Sequence, residues 1–246
     1  MKGLVNSVMY LWFFAAFIAY FFKGLCGFAN TLVFTTILSF GAPNASISPV
    51  DLLLGYPANL ILTWKNRKSL DLKVYLPLAI LVLAGCIPGT LLLKNVEARF
   101  IKMIFGIVII ALGMEMLARE YSKKRARTSK LVLAIIGVTA GVLCGLYGVG
   151  ALLAAYVSRV TEDNGSFKAN ISAVFIIDNT FRIILYKTLG LLTLTTVKSV
   201  LLLIPYALLG LYTGMKCSGH INENSIRKIT SVLLILSGIS LVLKNI

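Results

Sequence analysis

Residues 23–32 read KGLCGFANTL, and residues 144–153 read CGLYGVGALL, so one glycine pattern occurs twice in the chain. Each copy interrupts a long apolar stretch, because glycine favours a turn over continuation of a helix. The pattern predicts two similar halves, each built around a glycine break between a long helix and a short one. The aligned glycines are Gly24 with Gly145 and Gly27 with Gly148.

The composition around these breaks is typical of an integral membrane protein. Hydrophobic residues make up 58% and charged residues 13% of the 246 residues, and the mean hydropathy is +0.90. Soluble domains, in contrast, carry roughly 25% charged residues. Several apolar runs approach the roughly 20 residues that a helix needs to cross a bilayer. The runs are continuous and not alternating, so we predict an all-α protein embedded in the lipid bilayer.

Hydropathy and helix-breaking residues place five helical segments in each half. The predicted units are a first transmembrane repeat at 1–118, a basic linker at 119–130 and a second repeat at 131–246. The second segment of each repeat is too short to span a bilayer, so the first two segments predict a short hairpin that re-enters the membrane. The segments lie at about 5–22, 28–41, 49–65, 73–93 and 98–118, and then at about 131–146, 149–159, 168–187, 194–215 and 226–244.

A second duplicated pattern predicts close helix packing. Residues 83–94 read LAGCIPGTLLLK and residues 207–217 read ALLGLYTGMKC, and each contains two glycines four residues apart. Glycines at this spacing let two helix backbones approach closely. We therefore interpret these four glycines as packing residues and not as site residues.

Charge predicts the orientation of the chain. The linker carries six basic residues, and by the positive-inside rule it is cytoplasmic, in a multi-pass protein of the plasma membrane. Because each half has an odd number of segments, the halves are predicted to have opposite orientations and to form an inverted repeat, with both termini outside. Topology thus accounts for the net charge of +15, and we do not expect nucleic acid as a partner.

The two glycine breaks are the predicted substrate site. A helix that begins within the membrane points free N–H groups and the positive end of its dipole at its surroundings, which suits a small anion. In the first copy Asn30 adds an amide and Lys23 a positive charge. The alternative is that the glycines only allow tight packing. The predicted site residues in the breaks are Lys23, Gly24, Gly27, Phe28, Asn30, Gly145, Gly148 and Gly150.

Polar residues inside the other helices are the second indication of a site, because charge at membrane depth is costly. Asp178 and Arg182 are four residues apart and share one helix face, so either they neutralise each other or Arg182 holds an anion. Asn59, which follows Pro57 in the corresponding helix of the first half, is predicted to line the same cavity. The predicted site residues in these helices are Asn59, Asp178 and Arg182. Asp51 is interpreted as a helix cap.

No pattern typical of an enzyme is present. The chain has one histidine, His220, and four cysteines without CxxC spacing, and it lacks Walker, Ser-His-Asp and metal-ligand spacings. We therefore expect neither catalysis nor a cofactor nor a bound metal.

At its glycine breaks the chain resembles the TauE/SafE family, also called the sulfite exporter or toluene sulfonate uptake permease family. Members carry in each half a turn like KGLCGFAN at 23–30 and GLYGVGAL at 145–152. The resemblance covers nearly the whole chain and implies transport, mostly export, of small sulfur-containing anions such as sulfite and organosulfonates like sulfoacetate. The chain departs from the family pattern by having fewer glycines after each turn, with Ala29, Asn30 and Ala151 at those positions.

The leading hypothesis is a secondary transporter that exports such an anion under the membrane potential. One alternative is uptake coupled to a cation through Asp178 or another carboxylate. A scaffold subunit is a second alternative, but a scaffold does not need paired breaks within the membrane. A channel is a third, but it would require a ring of subunits or a polar-lined helix.

Overall fold

The computed structural model describes residues 2–38, 44–92, 151–161 and 163–243, with isolated helical positions between 103 and 142. The described residues are almost entirely helical and include no strand, as the composition predicts. A 3-10 turn at Arg67–Ser69 follows the third helix. In chain order the helices are α1 (Lys2–Cys26), α2 (Asn30–Leu38), α3 (Asn44–Lys65), α4 (Leu72–Leu92), α5 (Ala151–Val160), α6 (Asn164–Thr188), α7 (Leu194–Ser218) and α8 (Glu223–Leu243).

Three of the described helices are long and apolar enough to cross a membrane. They are α6, α7 and the Met9–Cys26 part of α1, and α4 adds a shorter apolar stretch at Leu72–Pro88. These lengths agree with the prediction of an integral membrane protein. The nine residues of α2 extend only about 13 Å, which is too short to span a bilayer of about 30 Å.

The predicted segments agree with the described helices in order but differ at their ends. The third helix begins at Asn44, five residues before the predicted start at 49, and Pro49 lies inside it without ending it. The sixth begins at Asn164, because the Asp163 side chain accepts a hydrogen bond from the Ser166 N–H at 2.8 Å and caps the first turn. Gly145, Gly148, Gly150 and the basic linker at 119–130 lie outside the described residues, as does most of the predicted segments at 98–118 and 131–146.

Glycines let α1 and α7 pack backbone to backbone. A Cβ atom added at Gly210 would overlap the carbonyl oxygen of Phe17, and one added at Gly214 would overlap that of Phe21. Gly24, on the facing side of α1, would likewise overlap the main chain of α7. The packing role predicted for Gly210 and Gly214 agrees with these contacts.

Two pairs of glycine contacts match between the halves. Gly85 on α4 meets Val138 and Val142, just as Gly210 on α7 meets Phe17 and Phe21. When Gly24 is aligned with Gly145, Phe17 aligns with Val138 and Phe21 with Val142.

A second matching pair of glycine contacts lies between the last predicted segments of the two halves. Gly113 meets Ile235 and Ser231, and Gly238 meets Ile110 and Gly106. Aligning Gly113 with Gly238 also aligns Ile110 with Ile235 and Gly106 with Ser231. Each contact therefore has a counterpart in which the roles of the halves are exchanged.

The short helix α2 folds back along α1 and forms a hairpin with it. The rings of Trp12 and Phe34 pack edge to face with centroids 5.8 Å apart, while Asn30 at the start of α2 lies beside Lys23 near the end of α1. On its other sides α2 packs against α3 and α8, and α3 in turn packs against α6 and α7. The turn of the hairpin is thus enclosed by the protein.

Candidate functional site

The break between α1 and α2 lies at residues 27–29. Gly27 has a φ of +89° and Ala29 a φ of +76°, and this left-handed region favours glycine. The Gly27 N–H still donates to the Lys23 carbonyl at 2.7 Å, and the Val33 N–H donates to the Ala29 carbonyl at 3.0 Å. The first helix therefore ends and the second begins within three residues, and α2 starts inside the protein.

A cavity of about 30 Å³ lies between this break and the central turns of α3 and α6. Since one water needs roughly 10–15 Å³ on this measure, the cavity holds about two waters or one small ion. A larger anion requires the walls to move apart. The ionic and amide side chains that line it are Lys23, Asn30, Asp51, Asn59, Asn179 and Arg182.

The ammonium group of Lys23 forms one wall of the cavity. Lys23 is 1% exposed, and its Nζ donates to Asn30 Oδ1 at 2.9 Å. The Nδ2 of Asn30 donates in turn to Asp51 Oδ1 at 3.0 Å, so one amide bridges two opposite charges. The ammonium group also lies 5.5 Å from the centroid of the Phe175 ring. This pairing makes a buried lysine tolerable.

Asp51 belongs to the cavity wall and does not cap a helix. The cap interpretation is wrong because α3 begins at Asn44, which places Asp51 in its third turn, where it is 4% exposed. Its carboxylate accepts hydrogen bonds from Thr31 Oγ1 at 2.5 Å and from Tyr20 Oη at 3.2 Å, in addition to that from Asn30. Asp51 is therefore held by side chains from α1 and α2.

Arg182 of α6 forms another part of the cavity wall. Its Nη2 donates to Tyr186 Oη at 2.8 Å and to Ser48 Oγ at 3.4 Å, which links α6 to the first turns of α3. Its Nη1 lies 4.0 Å from Asp178 Oδ2, at the outer limit of an ion pair. The guanidinium group lines the cavity, whereas Asp178 is buried and does not line it. The two predicted roles of Arg182, partner of Asp178 and cavity cation, are thus compatible.

Asn59 lines the same cavity from α3, as the sequence predicts. Its side chain is 1% exposed, and its Oδ1 has no hydrogen-bond partner among the described residues. An unpaired amide oxygen at such depth is costly, so a bound molecule or water that donates to it would be favoured. Asn179 of α6, which the sequence reasoning missed, adds a second amide.

Among the glycines of the first break, neither Gly24 nor Gly27 lines the cavity. Gly24 faces α7, as described above. A Cβ atom at Gly27 would lie 2.8 Å from the Cγ of Lys168, whose Nζ donates to the Gly24 carbonyl at 2.9 Å and to Ser218 Oγ at 2.6 Å. These two glycines shape the break, and the neighbouring residues that line the cavity include Lys23, Phe28 and Asn30.

The arrangement is suited to a small anion. Two cationic side chains from different helices, the N-terminal turn of α2 and several amides face one small space. Among the described residues there is no group of histidine, cysteine and carboxylate side chains that would hold a metal ion.

The family model described as "Sulfite exporter TauE/SafE" matches residues 12–241. No curated protein and no solved structure shows significant similarity to the chain. The family match confirms the resemblance predicted from the duplicated glycine breaks, and it implies a membrane transporter of sulfite or related sulfur anions. Because the match extends over nearly the whole length, through both halves, the chain belongs to the TauE/SafE family of sulfite exporters.

Proposed function

We propose that this protein is a secondary transporter that moves a small sulfur-containing anion, sulfite or an organosulfonate such as sulfoacetate, out of the cell across the plasma membrane. The observation that carries the proposal is the pair of buried cations, Lys23 and Arg182, that line one cavity at the start of α2. Sulfite and sulfonate oxygens accept hydrogen bonds, and cationic donors form the strongest of these.

The depth of the cavity supports transport across the membrane. With a rise of 1.5 Å per residue, Asp51 lies about 10 Å from the start of α3 and about 21 Å from its end. On α6 the lining residues run from Phe175 to Arg182, away from both ends of that helix. Secondary transporters bind their substrates at such interior positions, beside discontinuous helices.

The matching glycine contacts support an inverted repeat. The first helix of one half packs against the fourth segment of the other at Gly210, and the reciprocal contact is at Gly85. The contacts of Gly113 and Gly238 are reciprocal in the same way. A two-fold relation between the halves produces such exchanged pairs, and with five segments per half the relation inverts the topology.

In the proposed orientation the basic loop at 119–130 is cytoplasmic. A single cysteine introduced at Lys124 should therefore resist a membrane-impermeant maleimide in intact cells and react after the cells are opened. A cysteine at Leu189, which follows α6 in an exposed turn, should react from outside. Labelling of position 124 in intact cells would reverse the whole orientation.

Membrane potential is sufficient to drive export. A potential that is negative inside contributes about 2.3 kcal/mol per elementary charge per 100 mV. For a monovalent anion leaving the cell, this corresponds to more than a tenfold concentration ratio at equilibrium. Export therefore requires no coupled cation, whereas uptake would have to overcome the same free energy.

Flux in proteoliposomes tests the proposal. Sulfite, sulfoacetate, taurine, sulfate and thiosulfate are offered under a potential set by potassium and valinomycin. We expect flux of a sulfur anion that follows the imposed voltage, with no requirement for sodium or a pH gradient. Flux that ignores voltage and follows a sodium or proton gradient would support cation-coupled uptake, for which Asp51 and Asp178 are buried carboxylates within the described part of the chain. Absence of flux for every anion would favour a scaffold subunit.

A further inference from the structure

The charged side chains that line the cavity are two cations and one carboxylate. Among the described lining residues, Lys23 and Arg182 carry positive charges and Asp51 carries a negative charge, which leaves a net charge of +1. Asp178 approaches Arg182 but does not line the cavity. An anion that enters therefore meets two cations and one carboxylate at close range.

Asp51 is held in position by hydrogen bonds to both of its carboxylate oxygens. Hydroxyl and amide groups of Tyr20, Thr31 and Asn30 all serve as donors to its two oxygens, and an ionised carboxylate is an acceptor only. The carboxylate thus lies between α3, which carries it, and the hairpin, whose side chains donate to it.

We propose that Asp51 is a specificity-determining residue that makes the cavity select monovalent anions over divalent ones. This inference rests on the proposed function and narrows it. Burying a divalent anion costs more desolvation than burying a monovalent one, and the Asp178 carboxylate beside Arg182 offsets part of the positive charge that could compensate for it. The divalent anion is also repelled twice as strongly by Asp51. Repulsion of the wrong ligand is a common source of specificity.

The proposal restricts the range of substrates. Hydrogensulfite and simple monosulfonates carry a single negative charge, and the small volume also favours them. Sulfoacetate and the sulfite dianion each carry a second negative charge, and sulfate does as well. These divalent anions should bind and move more slowly than the monovalent ones.

Methanesulfonate and sulfate form a matched pair of probes for this test. Both are tetrahedral sulfur oxyanions of similar size, and they differ by one charge because a methyl group replaces one oxygen. Uptake of each radiolabelled anion into proteoliposomes is measured at equal concentration, with the membrane potential clamped at zero. The quantity compared is the ratio of the initial methanesulfonate rate to the initial sulfate rate. For the wild type we expect methanesulfonate to move at least tenfold faster than sulfate.

Variants separate net charge from loss of a contact. Asp51→Asn raises the lining charge to +2 and should lower the ratio at least tenfold, while Asp51→Glu keeps the charge and should keep the preference. The double variant Lys23→Gln/Asp51→Asn restores a net charge of +1 and should recover the preference for methanesulfonate. Asp71→Asn removes an exposed carboxylate outside the cavity and is the matched control.

The outcomes distinguish the inference from the proposed function. A wild type that moves none of sulfite, sulfoacetate, methanesulfonate and sulfate overturns the proposed function and the inference with it. A wild type that moves sulfite or sulfoacetate, but moves sulfate at least as fast as methanesulfonate or moves neither of these two probes, overturns the inference alone. A wild type that moves methanesulfonate, together with an Asp51→Asn ratio equal to that of the wild type, overturns the inference alone. If Asp51→Asn does not give a monodisperse protein, Lys23→Gln provides the test. Its lining charge of zero should raise the ratio of the methanesulfonate rate to the sulfate rate, and an unchanged or lower ratio overturns the inference.

Discussion

Replacing Gly27 with alanine is expected to destabilise the protein by about 2–5 kcal/mol. The backbone contributes about 1–2 kcal/mol, because the φ of +89° disfavours any residue with a Cβ atom. Packing adds about 1–3 kcal/mol, because the new methyl group would lie 2.8 Å from the Cγ of Lys168 and 3.4 Å from its Cα. These atoms are close to the main chain of α6 and cannot move aside without shifting that helix.

Gly190 supplies the matched control. Its φ is +71°, but a Cβ atom there would have no other atom within 4 Å. Gly190→Ala therefore carries only the backbone cost of about 1–2 kcal/mol, so the difference between the two variants reports the contact with Lys168. Reversible unfolding in mixed micelles titrated with sodium dodecyl sulfate measures both values.

A double-mutant cycle with Lys168→Ala tests the assigned cause. Removing the Cγ of Lys168 should relieve the overlap, so Gly27→Ala should cost less in the Lys168→Ala background than in the wild type, by roughly 1–3 kcal/mol. Equal losses for Gly27→Ala and Gly190→Ala, or a coupling energy of zero in the cycle, would refute the reasoning.

Three further predictions concern the cavity and its break. Gly55→Ala should reduce the initial rate of anion flux at least tenfold, because the added methyl group fills much of the small cavity. The protein should stay folded, with an unchanged unfolding midpoint, because the methyl group lies 3.6 Å from its nearest neighbours. Ala29→Gly should stabilise the protein by about 0.5–1 kcal/mol in the same unfolding titration, because it relieves the positive φ but adds flexibility to the unfolded chain. Lys23→Gln should raise at least tenfold the methanesulfonate concentration that half-inhibits sulfite flux, because a buried cation is lost. Lys198→Gln, on the exposed surface of α7, should leave this concentration unchanged.

Hydropathy and glycine spacing alone determined the helical class, the order of the described helices and the position of the first break. These features are local, because a continuous apolar run predicts a membrane helix and a glycine pair predicts its interruption, whatever the chain packs against. The same local argument identified Lys23, Asn30, Asn59 and Arg182, which are polar side chains within or beside apolar segments. The structure places all four around one cavity.

Only the tertiary structure decided which of the candidate groups face that cavity. Gly24 and Gly27 looked like ligands in the sequence but face α7 and Lys168, since the rotation of α1 is set by its glycine contacts with α7. Asp51 looked like a cap but lines the cavity, because α3 begins several residues earlier than the pattern indicates. Helix rotation and the bringing together of residues distant in the chain depend on packing between helices, and no local pattern in one helix carries that information.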